Sequence, residues 1–239
     1  MSAPLPILDV DRINSFYGEA HVLHDVHLKV LEGESVALLG RNGAGKTTTL
    51  RSILGLTPAR TGKITFKGQD ITNLPTNVIA ELGVGWVPDN RRIFPTLSVQ
   101  QNLEIARKKG GGKNQKWDLD RVFRHFPKLK ELLKHKGETL SGGELQILSI
   151  ARSLMGNPDL ILLDEPSEGL APLIVRELMK IIEELASTNI TTILVEQNSI
   201  LALRICSRVY VLDDGKIVHE GTAEELTANE ELKKQLLGI

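Results

Sequence analysis

Five short apolar runs punctuate the chain, each closed by turn-forming or charged residues: ESVALLG (34–40), GVGWVP (83–88), DLILLDEP (159–166), TTILVEQ (191–197) and RVYVLDDG (208–215). Their unbroken apolar character is that of strands buried on both faces of a parallel sheet. Helical periodicity lies between them. In PLIVRELMKIIEELAS (172–187), Ile174, Leu178, Ile181, Ile182 and Leu185 fall on one stripe, with Arg176, Glu177, Lys180, Glu183 and Glu184 off it. Strands alternating with helices predict an α/β domain around a mostly parallel sheet. HVLHDVHLKV (21–30) and GKITFKGQDI (62–71) depart from this plan, since shorter alternating patterns with Gly turns predict an antiparallel layer at the edge. From Ser98 to Asn157 the pattern is nearly all helical, broken by GGGKNQ (110–115) and Pro127. The expectation is therefore one domain over 1–239 with a helical insertion at about 98–157.

With 239 residues, 41% of them apolar, the chain can bury a continuous core. Lys and Arg number 29 against 30 Asp and Glu, a formal net charge of −1. That balance offers no global field for a nucleic-acid backbone, and no nucleic-acid partner is expected. The charge is uneven, however. From Arg107 to Lys136 there are 11 basic and 3 acidic side chains, which suits either a solvated helical face or a surface that meets an anionic membrane or acidic partner. The single cysteine, Cys206, lies in an apolar helical run and fits packing in a reducing compartment. No basic-then-apolar leader opens the sequence, and no apolar run approaches the ~20 residues of a membrane span. A cytosolic protein, or one held at a membrane by another, is expected.

Chemistry concentrates in three places. GRNGAGKT (40–47) fits G-x-x-x-x-G-K-[ST], follows the strand SVALL and opens the helical pattern TTTLRSILG. Gly40, Gly43 and Gly45 let the backbone curl until successive N–H groups face phosphate oxygens, and the helix start adds positive potential. Lys46 brings a mobile charge toward the β- and γ-phosphates, and Thr47 a hydroxyl ligand for Mg²⁺. Arg41, Asn42, Ala44 and Thr48 complete the candidate nucleotide-binding set. In LILLDEP (160–166), Asp164 at the strand end is placed to hold the metal, directly or through water, and Glu165 to polarise the attacking water as general base.

The third place is LSGGE (140–144), a second Ser- and Gly-bearing helix start. A nucleotide already served by its own turn, metal and base leaves this one free for another phosphate. The simplest candidate is a neighbour's. In a two-fold pair of chains, Ser141 and the N–H groups of Gly142 and Gly143, with Glu144 beside them, would close on the γ-phosphate lying on the other chain's GRNGAGKT. Two nucleotides would then cement two subunits, and hydrolysis would part them.

In that order, GRNGAGKT, LSGGE and LILLDEP resemble the ATP-binding cassette (ABC) family over essentially the whole chain. VPDNRRIFPTLSVQQNL (87–103), SEGLAP (167–172) and TTILVEQNS (191–199) are most similar to ATPase subunits of bacterial high-affinity branched-chain amino-acid importers, with a urea-importer ATPase as the next resemblance. The family resemblance implies a P-loop NTPase fold of RecA-like type, with ATP and Mg²⁺ bound. It implies adenine stacking for Tyr17, and for Asp89 a place near Mg²⁺ and the attacking water, where most of the family carries glutamine, with contact through a bridging water. Gln197 matches the switch histidine; its amide can donate to the γ-phosphate but does not titrate near neutral pH, so water activation rests on Glu165. Ala171 stands where the family usually has an aspartate that crosses the dimer. Implied partners are a second cassette, identical or paralogous, transmembrane permease subunits docked on the segment between Arg92 and LSGGE, and a solute-binding protein indirectly. The implied location is cytoplasmic, peripheral on the inner face of the plasma membrane.

Three function classes follow. The first is an ATPase subunit driving import of branched-chain amino acids, or of urea or another small amide. The second is a nucleotide-gated dimerisation module with little turnover, suggested by Asp89, Gln197 and Ala171. The third, an ABC ATPase acting on ribosomes or DNA, calls for a second cassette or a long coiled-coil insert, and the sequence shows neither. His21, His24 and His27, on an alternating strand, are expected not to converge on one face and not to form a metal site. Arg91 and Arg92 fit a partner contact near the nucleotide or a pair of solvated charges equally well.

Overall fold

Two sheets divide the strands of the computed structural model, which describes residues 5–107, 117–188 and 190–237. In chain order the described strands are β1 (Leu8–Tyr17), β2 (Ala20–Val30), β3 (Ser35–Leu39), β4 (Ala59–Phe66), β5 (Gln69–Asp70), β6 (Val84–Val87), β7 (Leu160–Asp164), β8 (Thr191–Glu196), β9 (Arg208–Asp213) and β10 (Lys216–Thr222). The described helices are α1 (Lys46–Ile53), α2 (Thr76–Leu82), α3 (Val99–Ile105), α4 (Leu119–His125), α5 (Pro127–Glu131), α6 (Gly142–Met155), α7 (Pro172–Ala186), α8 (Ser199–Ile205), α9 (Ala223–Ala228) and α10 (Glu230–Leu237). A six-stranded sheet runs β10-β9-β3-β8-β7-β6, parallel except for β10, and a four-stranded antiparallel sheet runs β2-β1-β4-β5.

The parallel strands fall where the apolar runs predict, and every residue of β3, β7 and β8 is buried. Alternate side chains explain why no polar position interrupts them. Ala37, Leu39, Ile161, Leu163, Val209 and Val211 face one core with α6 and α7, while Val36, Leu38, Leu160, Leu162, Tyr210 and Leu212 face another with α1 and the antiparallel sheet. The strand ends at Gly40 and Asp164 are thereby held, with β8 between them, at the carboxyl edge of the parallel sheet, the place where α/β folds bind ligands.

Several details differ from the sequence expectations. The antiparallel layer is a sheet of its own, and its central strand β1 was not among the predicted strands. Its inward residues Leu8, Val10, Ile13 and Ser15 skip a step because Arg12, at φ 47°, forms a bulge. A matching irregularity at Asp25 (φ 50°) in β2 is stitched by Asn14 Nδ2 donating to Asp25 Oδ1 at 2.8 Å. A further register shift, between Ser15 and Phe16 of β1 opposite Leu23 and His21, goes with the approach of His21 and His24, ring centroids 3.8 Å apart, where strict alternation separates them. Among the described residues no cluster of three or more His, Cys, Asp and Glu side chains that could hold a metal ion is found. β10, with half-exposed alternate positions, was likewise not predicted.

Between β6 and β7 the described elements are helical, α3 to α6. Pro127 ends α4 and starts α5. The stretch 110–115 and part of the basic run lie outside the described residues. On α7 the buried stripe includes Met179 beside Leu178, Ile182 and Leu185, while Ile174 is only half-buried and turns toward α6. Cys206 is buried, and burial pushes its thiol up to about 12, so it packs as a small apolar group.

Candidate functional site

At the end of β3 the chain curls through 40–45 into α1, whose N-cap is Gly45. Gly45 has φ 108°, and a Cβ there would lie 2.7 Å from Leu23 Cδ2, so the turn requires glycine. No side chain caps α1 and no acid occupies its first turn, which leaves its N–H groups and positive potential for an anion. Asn42, Gly43, Gly45, Lys46, Thr47 and Thr48 line a pocket of about 290 Å³, completed by Glu165, Glu168 and Gln197. Gly40, Arg41 and Ala44 shape it from behind: the carbonyls of Gly40 and Arg41 accept from Lys46 Nζ at 3.0 and 3.1 Å, and that of Ala44 from the Gly215 N–H at 3.0 Å.

The charges inside this pocket hold one another. Lys46, 4% exposed, pairs with Glu165 Oε1 at 3.1 Å. Thr47 Oγ1 donates to Asp164 Oδ1 at 2.9 Å, while Asp164 Oδ2 is buried without a partner. Burial pushes the Asp164 carboxyl up to about 6 against the hydrogen bond from Thr47, with the charges of Asp89 and Glu165 adding to the rise. A buried carboxylate with one oxygen unused, beside a hydroxyl, is a donor set that fits a hard divalent cation such as Mg²⁺.

Glu165 sits at φ 45°, a strained conformation for a non-glycine residue. Burial alone would raise its carboxyl, but the amide of Gln197, donating at 2.9 Å, and the charge of Lys46 outweigh it and hold Glu165 below the usual range. The loop beyond is pinned from below. Ser167 donates through its hydroxyl (2.9 Å) and its N–H (3.1 Å) to the Glu196 carboxylate at the end of β8. Glu168 was missed by the sequence reading. Its N–H donates to the Glu165 carbonyl at 3.1 Å, and this turn puts both carboxylates at one pocket. Its hydrogen bond with Glu165, then burial, push its carboxyl up. The acid three residues after Glu165 in a Pro- and Gly-bearing loop was the available signal.

Two predicted residues stand apart from the pocket wall. Tyr17, 45% exposed at the end of β1, has Thr57 Oγ1 at 3.4 Å from its hydroxyl and the Arg51 guanidinium 5.8 Å from its ring centroid. Asp89 is exposed just after β6, accepts from the Asn90 N–H at 2.7 Å, and reaches Asp164 and Glu168 only as a neighbouring charge.

LSGGE forms the start of α6 and none of Ser141, Gly142, Gly143 and Glu144 lines the pocket. The turn closes on itself. The Ser141 N–H and hydroxyl both donate to Glu144 Oε2 at 2.8 Å, and the Glu144 N–H donates back to Ser141 Oγ at 3.4 Å. Those donors hold the Glu144 carboxyl below its ordinary value. The two glycines differ. A Cβ on Gly143 would lie 2.5 Å from Ile174 Cγ2, so α7 demands glycine, whereas one on Gly142 would meet nothing closer than Leu170 Cδ2 at 3.7 Å.

A glycine-curled turn after a central parallel strand, a buried lysine in it, a Thr–Asp pair and an adjacent glutamate define a P-loop nucleoside-triphosphate hydrolase. Residues 23–168 match the family described as ABC transporter. Over 236 residues the chain is 41% identical to the high-affinity branched-chain amino acid transport ATP-binding protein BraG of Pseudomonas aeruginosa, covering 97% of this chain and 100% of that protein. It is 36% identical to the lipopolysaccharide export system ATP-binding protein LptB of Haemophilus influenzae, covering 98% of each. Its fold matches the crystal structure of a nucleotide-free ATP-binding cassette from an ABC transporter with a TM-score of 0.80 at 27% identity, covering 98% of this chain and 96% of that one. The chain belongs to the ABC transporter family, as an ATP-binding and ATP-hydrolysing subunit.

Proposed function

We propose that this subunit drives import of branched-chain amino acids, as one of two cassettes that close around two ATP molecules and pull permease subunits between inward and outward states. The observation that carries the composite site is the separation of the two turns. The pocket at 40–48 has metal ligands and a base, while the tip at 141–144 lies apart from it with one glycine that no neighbour in its own chain requires. Similarity to BraG and the resemblance of SEGLAP and VEQNS support the solute class. LptB is similar over as much of the chain at lower identity, and that favours export as the second reading.

In this reading Thr47 Oγ1 and Asp164 would hold Mg²⁺, which when bound neutralises charge on the β- and γ-oxygens. Lys46 leaves the Glu165 carboxylate for the phosphates. Freed of that cation, Glu165 becomes a stronger base toward the attacking water, oriented by the amide of Gln197. Asp89 acts through a bridging water, and Tyr17 stacks on adenine. Ser141 turns its hydroxyl from Glu144 to the partner chain's γ-phosphate.

The helices of 98–157 serve as an inserted docking unit within the single domain. Phe94 and Ile105, 46% and 60% exposed, stand near a groove lined by Trp86, Ala106, Arg152 and Ser153, a surface suited to a permease segment. No described helix is long and apolar enough to cross a membrane, so attachment to the inner face of the plasma membrane runs through that partner. The test is to purify the chain with the permease that accompanies it, reconstitute the complex in vesicles and supply ATP on the cassette side. ATP-dependent movement of leucine, isoleucine or valine toward the cassette side is expected. Movement of a lipid-linked substrate the other way, or none of these amino acids, overturns the import reading.

A further inference from the structure

Segment 88–92 meets two other parts of the site through one residue. Arg91 and Arg92 both adopt left-handed backbone, φ 60° and 44°, and two successive non-glycine residues in that region are strained. The Arg91 N–H donates to the Pro88 carbonyl at 3.0 Å, and its own carbonyl accepts from Ser149 Oγ at 2.9 Å and from Arg152 Nη2 at 3.4 Å, both on α6. Its guanidinium bridges α6 and the loop after Glu165. Nε donates to Oε1 of Gln146 on α6 at 3.0 Å, and Nη2 to the Glu168 carbonyl at 3.4 Å. Gln146 is 1% exposed and lies four residues past Gly142, and Glu168 three past Glu165. One side chain thus ties the segment that carries Asp89 to the loop that carries Glu165 and to the helix whose tip is LSGGE. The backbone gains nothing from arginine there, since glycine adopts φ 60° without strain. The side-chain contacts to Gln146 and Glu168 are what arginine adds at this strained position.

We propose that Arg91 is a positioning residue that couples occupancy of this chain's phosphate pocket to the placement of its own 141–144 tip. It rests on the reading of the pocket as the ATP site and deepens it. When phosphate draws the Glu165 loop and the Asp89 segment inward, the guanidinium carries the first turns of α6 with them. Binding at one site thereby sets the geometry of the tip offered to the other. Lysine is a poor substitute, because a point charge cannot hold acceptors on two elements as the planar fork does.

The test is hydrogen exchange on the full chain with Mg²⁺ and the non-hydrolysable analogue adenylyl imidodiphosphate, at a concentration where light scattering shows monomers, so that dimer closure cannot itself cover the tip. In the unsubstituted chain the analogue should slow exchange at 43–48, and should slow it at 142–147 by about fivefold or more, the lower range of typical site-to-site coupling. Arg91→Gly relieves the backbone and is expected to fold; it should keep the protection at 43–48 and lose that at 142–147. Gln146→Leu, which removes the acceptor at similar volume, should do the same, and Arg91→Lys should restore little of it. Turnover of Arg91→Gly should fall about tenfold with KM for ATP within about twofold. Equal tip protection in Arg91→Gly and the unsubstituted chain, or none in the unsubstituted chain despite protection at 43–48, overturns the coupling and leaves the ATP site standing. No protection at 43–48 in the unsubstituted chain overturns both.

Discussion

The two glycine-bearing helix starts look alike in sequence and differ in what surrounds them. At 40–48 the helix has no cap of its own, its lysine is buried among carbonyls and a glutamate, and a carboxylate oxygen is left unused behind it. At 141–144 the helix carries its own capping box through Ser141 and Glu144, and none of the four residues lines the pocket of Lys46 and Glu165. In the proposed reading the first supplies the phosphate turn, the metal ligands and the base, and the second gains its role opposite a partner's phosphate. Sequence motifs for anion binding therefore report only a capacity of the backbone. Burial and neighbouring charges distinguish the two turns: one holds a buried lysine and carboxylates, the other a self-contained capping box.

The largest expected effects separate the two turns by substitution. Glu165→Gln should lower phosphate release by about 10³-fold, within the usual range for loss of a general base, with ATP still bound. Lys46→Ala should abolish ATP binding, whereas Ser141→Arg should abolish turnover and leave binding by the single chain intact. Mixing these last two variants should restore up to about a quarter of normal turnover, because half the pairs contain one complete site. Measured phosphate release that stays at background in the mixture breaks the comparison, since each turn would then act within its own chain.

The next effect belongs to the first turn alone. The Asp164 carboxyl titrates at about 6 in the folded chain against an ordinary value of 3.8. The folded state therefore binds more protons than the unfolded state between those values, and stability falls as pH rises from about 4 to about 6. The difference corresponds to roughly 3 kcal/mol. Asp164→Asn keeps an acceptor for Thr47 and should remove this slope. Urea denaturation of the nucleotide-free protein across that range, compared between the two chains, reads it directly.

The second turn is sharpened by its two glycines. Gly143→Ala drives a methyl into Ile174 and should cost about 1–3 kcal/mol of stability, while Gly142→Ala should cost under about 0.5 kcal/mol yet weaken ATP-dependent pairing. Thermal melts and sedimentation with Mg·ATP on Glu165→Gln backgrounds distinguish them. The remaining effect lies in the loop after Glu165. Ser167→Ala leaves an oxygen of the buried Glu196 carboxylate without its hydroxyl donor and should cost about 1–2 kcal/mol.

The parallel strands and the phosphate turn were legible in the sequence for one reason: both rest on local pattern. A strand buried on two faces shows an unbroken apolar run, and a phosphate turn needs glycines and lysine at fixed spacing. β1 was not legible, because the bulge at Arg12 breaks the alternation that would have marked it, and a further register shift in that strand goes with the approach of His21 to His24. Asp164 and Glu165 were found as a pair at a strand end, but their opposite pKa directions depend on burial, Lys46 and Gln197, which only the folded chain brings together. Glu168 and Arg91 were missed or left open since their partners lie on other elements: Glu168 meets Glu165 through a turn, and Arg91 reaches 55 residues ahead to Gln146.

The most direct test of a site shared between chains is the structure of the Glu165→Gln chain with Mg·ATP, and within it the distance from Ser141 to the triphosphates. A pair of chains with the Ser141 hydroxyl about 3 Å from the γ-phosphate on its mate's 40–47 turn is the predicted result. ATP bound in that turn while 141–144 faces solvent, in a chain without a mate, would contradict it.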